Sequence, residues 1–215
     1  MEGMRTSDPG TPGTPGTPRV SGAPGGVRTP YRVCFVCTGN ICRSPMAEAV
    51  FRDHAARAGL AELVETSSAG TGGWHEGDGA DSRTVAVLTA AGYVHEHVAR
   101  QFRRDWFERL DLVIDLDEGH LRDLRRLAPG PGHARKVRLL RSYAPGAGEG
   151  LCELDVPDPY YGGPEGFEEC LALVEEAVPG LLEEVRAALG RPAGDGGTGG
   201  GGTGGGGTGG GAAGL

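Results

Sequence analysis

Val36-Cys37-Thr38-Gly39-Asn40-Ile41-Cys42-Arg43-Ser44-Pro45 is the stretch on which the fold turns. Ahead of it runs Tyr31–Cys37, apolar and β-rich, which reads as a buried strand. Behind it Ser44–Ala58 reads as a helix, with Ser44 suited to the N-cap, Pro45 to the first helical position and Gly59 to the stop. A strand that passes through a short loop into a helix is the first unit of an open α/β sheet, and ligands of such sheets gather at that junction.

The chain beyond continues the alternation. Leu63–Ala69 is a second strand candidate, Ser82–Ala91 a helix ended by Gly92, and Leu112–Leu116 a third strand. A helix over Glu118–Leu127 and a short strand, Val137–Leu140, follow. Near the end Phe167, Cys170, Leu171, Val174, Val178, Leu181, Leu182, Val185 and Leu189 recur with a helical period, and Pro179-Gly180 is expected to kink or split that helix. Strands alternating with helices predict a single three-layer α/β domain: a parallel sheet covered on both faces.

The two ends are a different material. Residues 1–30 carry the repeat Thr11-Pro12-Gly13-Thr14-Pro15-Gly16-Thr17-Pro18, and residues 192–215 are glycine runs broken by Thr198, Thr203 and Thr208. Neither buries enough apolar surface to offset the entropy of ordering, so both are expected to be disordered arms around a domain at 31–191. That domain, of about 160 residues, is long enough for one real core. The charges of the two arms cancel, so the net charge of −8 belongs to the domain. An acidic domain without a basic stripe is a poor partner for nucleic acid or an anionic membrane. No apolar run is long enough to span a bilayer, no secretory leader is evident, and five unevenly spaced Cys point to reduced thiols and a cytoplasmic protein.

The loop itself is built for an anion. A helix N-terminus presents unpaired N–H groups and partial positive charge. Gly39 is expected to let the loop curl with its N–H groups inward, and Arg43 to close it with a planar fork that holds two phosphate oxygens at once. The positive cup favours Cys37 as thiolate, a nucleophile facing the phosphorus of a bound monoester. A departing alkoxide or phenoxide then needs a proton. Asp158, in Asp155-Val156-Pro157-Asp158-Pro159-Tyr160-Tyr161, is the best donor, with Asp155 its competitor, and the two tyrosines could wall a flat aromatic substrate.

Cys-x5-Arg-Ser enclosing Gly-Asn, followed far downstream by Asp-Pro-Tyr-Tyr, resembles the low-molecular-weight protein tyrosine phosphatases. The likeness spans nearly all of residues 31–190 and includes Ser68-Ala69-Gly70-Thr71 before Trp74, His97-Val98-Ala99-Arg100-Gln101, and Asp117-Glu118 leading into Leu121-Arg122-Asp123-Leu124. The resemblance implies a four-stranded parallel sheet with helices on both sides, no metal and no organic cofactor. It implies hydrolysis of phosphotyrosine in protein substrates, and of small aryl phosphates, through a cysteinyl-phosphate on Cys37. In that scheme Arg43 binds the phosphate and Asp158 acts as acid and then base. Ser44 donates to the Cys37 thiolate, Asn40 shapes the loop and His97 supports it. Thr38, Gly39, Ile41 and Cys42 complete the phosphate-binding loop, while Trp74, Tyr160 and Tyr161 line the substrate slot. A monomer is expected.

Other readings of the same residues carry less. Cys34 and Cys37 form a Cys-x-x-Cys, but on a strand they face opposite sides, so Cys34 reads as a small core residue. Cys42 either fills loop space or, as in this family, pairs with the nucleophile to shield it from over-oxidation. Cys152 reads as loop filler and Cys170 as helix core. His75, His95, His120 and His133 show no metal-ligand spacing, and His54 reads equally as a partly buried helix residue or a functional one. An arsenate reductase on this fold relays electrons through further cysteines, yet residues 60–150 contain none. Protein arginine phosphatases tend to carry Thr where Ile41 stands, and an apolar wall suits an aromatic ring better. A dead phosphate-binding adaptor is disfavoured by the intact set of Cys37, Arg43, Ser44 and Asp158.

Overall fold

The computed structural model describes residues 29–149 and 153–190; the two expected arms, save Thr29 and Pro30, and Cys152 lie outside the described residues. Strand β1 (Tyr31–Cys37) is buried from Val33 onward, which is why Val33–Cys37 run apolar instead of alternating. It sits inside a parallel sheet of order β2-β1-β3-β4, with β2 at Val64–Gly70, β3 at Leu112–Asp115 and β4 at Val137–Leu139. Cys37 pairs with Gly70 and Val36 with Asp115, so three strands end level and release their loops at one edge.

Side chains of β1 alternate between two cores. Val33, Phe35 and Cys37 face a large cluster built with helices α1 (Arg43–Arg57), α2 (Ser82–Ala90) and α5 (Pro164–Ala188). Cys34 and Val36 face a smaller one with Phe102, Phe107 of a 3-10 turn (Arg104–Glu108) and Leu124 of α3 (Glu118–Leu127). The Cys-x-x-Cys spacing is thus divided between opposite faces of the sheet and does not converge on one point. Cys34 is fully enclosed, and burial pushes its thiol up to about 12. A one-turn helix, α4 (Pro131–Ala134), precedes β4. No helix among the described residues is long and apolar enough to cross a membrane.

Three local expectations need correction. Helix α1 starts at Arg43 with Cys42 as its N-cap, so Ser44 is not the cap and Pro45 occupies the third helical position. Proline fits there because first-turn N–H groups have no intrahelical partner. Asn40, not Gly39, is the left-handed residue of the loop, at φ 58°. Glycine at 39 instead makes room, since a Cβ there would lie 3.0 Å from Cδ2 of His75. Finally, of the two outcomes expected at Pro179-Gly180 the split does not occur: α5 runs through as one helix of 25 residues. Val178, Leu181 and Leu182 are buried around the proline, and Gly180 lies so close to the turn at Leu140–Tyr143 that a Cβ would overlap the Tyr143 carbonyl. Packing on both sides of the missing hydrogen bond holds the helix together.

Candidate active site

The loop between β1 and α1 is held by a network of side chains behind it. Asn40 is fully enclosed, and both ends of its side-chain amide and its carbonyl are used. Its Nδ2 donates to Ser44 Oγ at 2.9 Å and to Ser68 Oγ at 3.0 Å, while its Oδ1 accepts from the Arg100 N–H at 2.9 Å. Its carbonyl accepts from His97 Nε2 at 2.5 Å, so that nitrogen carries a proton. Ser68 passes the chain on to Glu48 Oε2 at 2.6 Å. Burial favours neutral His97, which needs no charge for this contact. Asn tolerates the left-handed conformation better than other side-chain-bearing residues, and here its amide also offsets the strain with three contacts.

Ser44 Oγ lies 3.0 Å from Cys37 Sγ. Asn40 donates into that oxygen, so the single serine proton is shared between the sulfur and the Ala69 carbonyl, 3.3 Å away. Ser44 and Asn40 therefore sit behind the loop, and their side chains do not line the cavity in front of it.

In front, Arg43 spans four acceptors with its side chain only 4% exposed. Nη1 donates to Asp117 Oδ2 at 2.9 Å and to the Val156 carbonyl at 3.1 Å. Nη2 donates to Asp158 Oδ2 at 2.7 Å and Thr38 Oγ1 at 3.1 Å. Burial alone would pull the guanidinium down, but facing Cys37, Asp158 and Asp117 it is raised further and stays charged. Asp117 caps α3, accepting the His120 N–H through Oδ1, and holds His120 Nδ1 through Oδ2 at 2.5 Å. Burial works against the Asp117 carboxylate, yet the His120 hydrogen bonds and the Arg43 charge hold it well below the usual carboxylate range. His120 Nε2 reaches Thr38 Oγ1 at 3.1 Å. The two candidate acids are also separated: Asp158 faces Arg43, whereas Asp155 Oδ1 accepts the Glu118 N–H at 2.8 Å and steadies the start of α3.

The cavity, of about 410 Å³, is lined by Cys37, Thr38, Gly39, Ile41, Cys42 and Arg43 at its floor and by Trp74, His75, Asp158, Tyr160 and Tyr161 around its mouth. Trp74 and Tyr161 are largely exposed rims, and Tyr160 packs edge-on to Tyr161 with centroids 5.0 Å apart. Arg83 of α2 ties that wall down, donating to the Tyr160 and Gly162 carbonyls at 3.1 Å while its other contacts clasp Asp81. Cys42 shares the floor with Cys37, and burial pushes its thiol up to about 12, so it keeps its proton. Cys170 is buried in α5, as expected of a core residue, and its thiol is likewise raised to about 12.

Sequence reasoning gathered Cys37, Arg43, Asp158, Trp74, Tyr160 and Tyr161 into one place, and the fold brings them there. It missed four residues: Asp117 and His120, which hold Arg43 and Thr38, His75 in the wall, and Arg83 beneath it. The one available signal was an Asp-x-x-His directly after a strand that ends level with β1.

The family model of low molecular weight phosphotyrosine protein phosphatase matches residues 32–190. A low molecular weight protein-tyrosine-phosphatase of Streptomyces coelicolor is 69% identical over 156 residues, covering 73% of this chain and 94% of that protein. Among solved structures, a protein tyrosine phosphatase from Entamoeba histolytica aligns with a TM-score of 0.69 at 31% identity, covering 74% of this chain and 99% of the other. A Drosophila arginine phosphatase aligns with a TM-score of 0.64 at 30% identity, covering 71% of this chain and 96% of the other.

Proposed function

The chain belongs to the low molecular weight phosphotyrosine protein phosphatase family, and from that premise we propose that it hydrolyses phosphotyrosine in proteins, and small aryl phosphates, through a cysteinyl-phosphate. The observation that carries this reading is the placement of Cys37 and the Arg43 fork at the floor of one cavity whose mouth holds Asp158 and two tyrosines. The phosphate enters with its oxygens on the loop N–H groups and Arg43, taking over the Nη2 contact now made to Asp158. Cys37 sulfur, with Ser44 donating to it, attacks phosphorus; the S–P bond forms as the P–O bond to the aryl group breaks. Asp158 gives its proton to the departing oxygen. Water then attacks the phosphocysteine, Asp158 takes the water proton, and the S–P bond breaks to release phosphate and thiolate. The fixed positive charge of Arg43 meets the charge that builds on the equatorial oxygens in both steps.

The aromatic mouth and Ile41 in the floor favour a flat aryl ring over the long polar guanidinium of phosphoarginine. By the same reading the enzyme is cytoplasmic, monomeric and served by a domain spanning 31–191 between two arms. The family match over 32–190 supports the domain span, and the four unpaired thiols among the described residues support a reducing compartment.

The test measures turnover of a phosphotyrosine peptide and para-nitrophenyl phosphate, with phosphoarginine hydrolysis and arsenate reduction run in parallel. Aryl phosphate turnover abolished by Cys37→Ser is the expected result. Faster phosphoarginine hydrolysis moves the chain to the arginine phosphatases, and Cys37→Ser turnover above roughly a tenth of wild type removes Cys37 as nucleophile.

A further inference from the structure

Resting on the phosphatase reading, we propose that His120 is a positioning residue that sets which way the Thr38 hydroxyl proton points, and so gates one hydrogen bond to the bound phosphate. The donors and acceptors leave little choice. Asp117 Oδ2 is an acceptor only, so His120 Nδ1, 2.5 Å from it, carries a proton in either charge state. Arg43 Nη2 can only donate, so one lone pair of Thr38 Oγ1 is already filled. The remaining partner of Thr38 is His120 Nε2 at 3.1 Å. When Nε2 carries a proton it donates to the second lone pair, and the hydroxyl proton is turned out into the cavity that Thr38 lines. When Nε2 is bare, the hydroxyl must donate to it, and its proton is withdrawn from the cavity. A single protonation on α3 is thereby converted into the presence or absence of a donor at the phosphate loop.

The charges around His120 favour the donating state. Its own helix supplies Asp117 at the N-cap, β3 supplies buried Asp115, and α1 supplies the opposing Arg43. Glu118 on the first turn is exposed and ion-paired with Arg122, and Asp158 lies on the far side of Arg43. The hydrogen bond to Asp117 is the largest influence and raises His120 above the ordinary histidine value despite its half-burial. Phosphate binding is thus expected to weaken on the alkaline side of that ordinary value.

The assay uses the full chain with Cys37→Ser, which removes the thiol from the titration, and inorganic sulfate, whose charge is constant across the range. Calorimetry at fixed ionic strength from pH 6 to 9 is expected to show sulfate affinity falling about tenfold, the worth of one hydrogen bond to a charged group. Adding Thr38→Val or His120→Gln should reduce that change to less than about threefold, the remainder being through-space charge from His120, where retained, and Asp115. Adding Thr38→Ser, which restores a hydroxyl, should return the full change. A tenfold change that survives Thr38→Val shows that His120 acts by charge alone and overturns the proposal, as does a flat profile or no sulfate binding in the Cys37→Ser chain. Wild-type turnover of para-nitrophenyl phosphate, measured beside it, reports on the phosphatase reading separately.

Discussion

Asn40 offers the sharpest separation of backbone from side chain in the phosphate loop. It is the described non-glycine residue with a left-handed φ, and its amide makes three of the contacts that fix the loop. Asn40→Gly keeps the backbone conformation and deletes the amide. The Arg100 N–H is then an orphaned donor, at a cost of about 1–3 kcal/mol, and the bonds to Ser44 and Ser68 are lost at about 1 kcal/mol each. The expected loss is about 3–5 kcal/mol. Asn40→Ala loses the same contacts and adds about 1–2 kcal/mol for a Cβ at φ 58°, against which it recovers about 0.5–1 kcal/mol of the unfolded-state entropy that glycine forfeits. Alanine should therefore be worse than glycine by about 1 kcal/mol. In urea unfolding both midpoints should drop with unchanged slope, and melting should fall by about 2–4 °C per kcal/mol. A glycine variant within 1 kcal/mol of wild type, or an alanine variant more stable than it, refutes the account of why this loop holds its shape.

Arg43→Lys should lower kcat/KM by about 10²–10³, the cost of losing a transition-state donor, because one ammonium cannot span Asp117, Val156, Thr38 and the phosphate together; a near-normal rate in steady-state kinetics contradicts the fork assignment. Asp158→Ala should slow phenyl phosphate far more than para-nitrophenyl phosphate, within the 10²–10⁴ that a general acid typically supplies, whereas Asp155→Ala should not discriminate between them; the reverse pattern would assign the acid to Asp155. Asp115 is buried with Oδ2 unpartnered, and desolvation pushes its carboxyl to about 7. Its protonated form is preferred in the fold, so no penalty exists below its unfolded value near 4 and the full penalty is present above about 7. Asp115→Asn should accordingly gain stability on wild type as pH rises from 4 to 8, and a pH-independent difference in melting temperature would disprove this. Deleting residues 1–28 and 192–215 should leave melting temperature and para-nitrophenyl phosphate turnover unchanged; a fall of more than a few degrees would show that an arm docks.

What the sequence disclosed and what it withheld follow from how each residue does its work. Strand β1 was legible because burial on both faces from Val33 onward demands an apolar run there, and Tyr31–Cys37 has the same limits in sequence and structure. The long helix was legible from its stripe, and the error at Pro179 came from weighing a local breaker without the tertiary packing at Gly180. Ser44 was misread for a related reason: a serine ahead of a proline and an apolar run has the composition of an N-cap, and only three dimensions show its hydroxyl held among Cys37, Asn40 and the Ala69 carbonyl. Asp117 and His120 lie 74 and 82 positions from the residues they hold, and a polar pair at the start of a helix reads as capping. Asp117 does cap its helix through Oδ1, and the same carboxylate grips Arg43 through Oδ2. A residue with two duties presents to sequence reading only the local one. The same holds for Asp155 and Asp158, three positions apart and alike in setting, until the register of β3 with β1 brings the start of α3 beside Asp155 and the phosphate loop beside Asp158. Strand register, a long-range property, therefore decides which carboxylate is structural and which faces the chemistry, and the end of β3, level with that of β1, is what puts Asp117 within reach of Arg43.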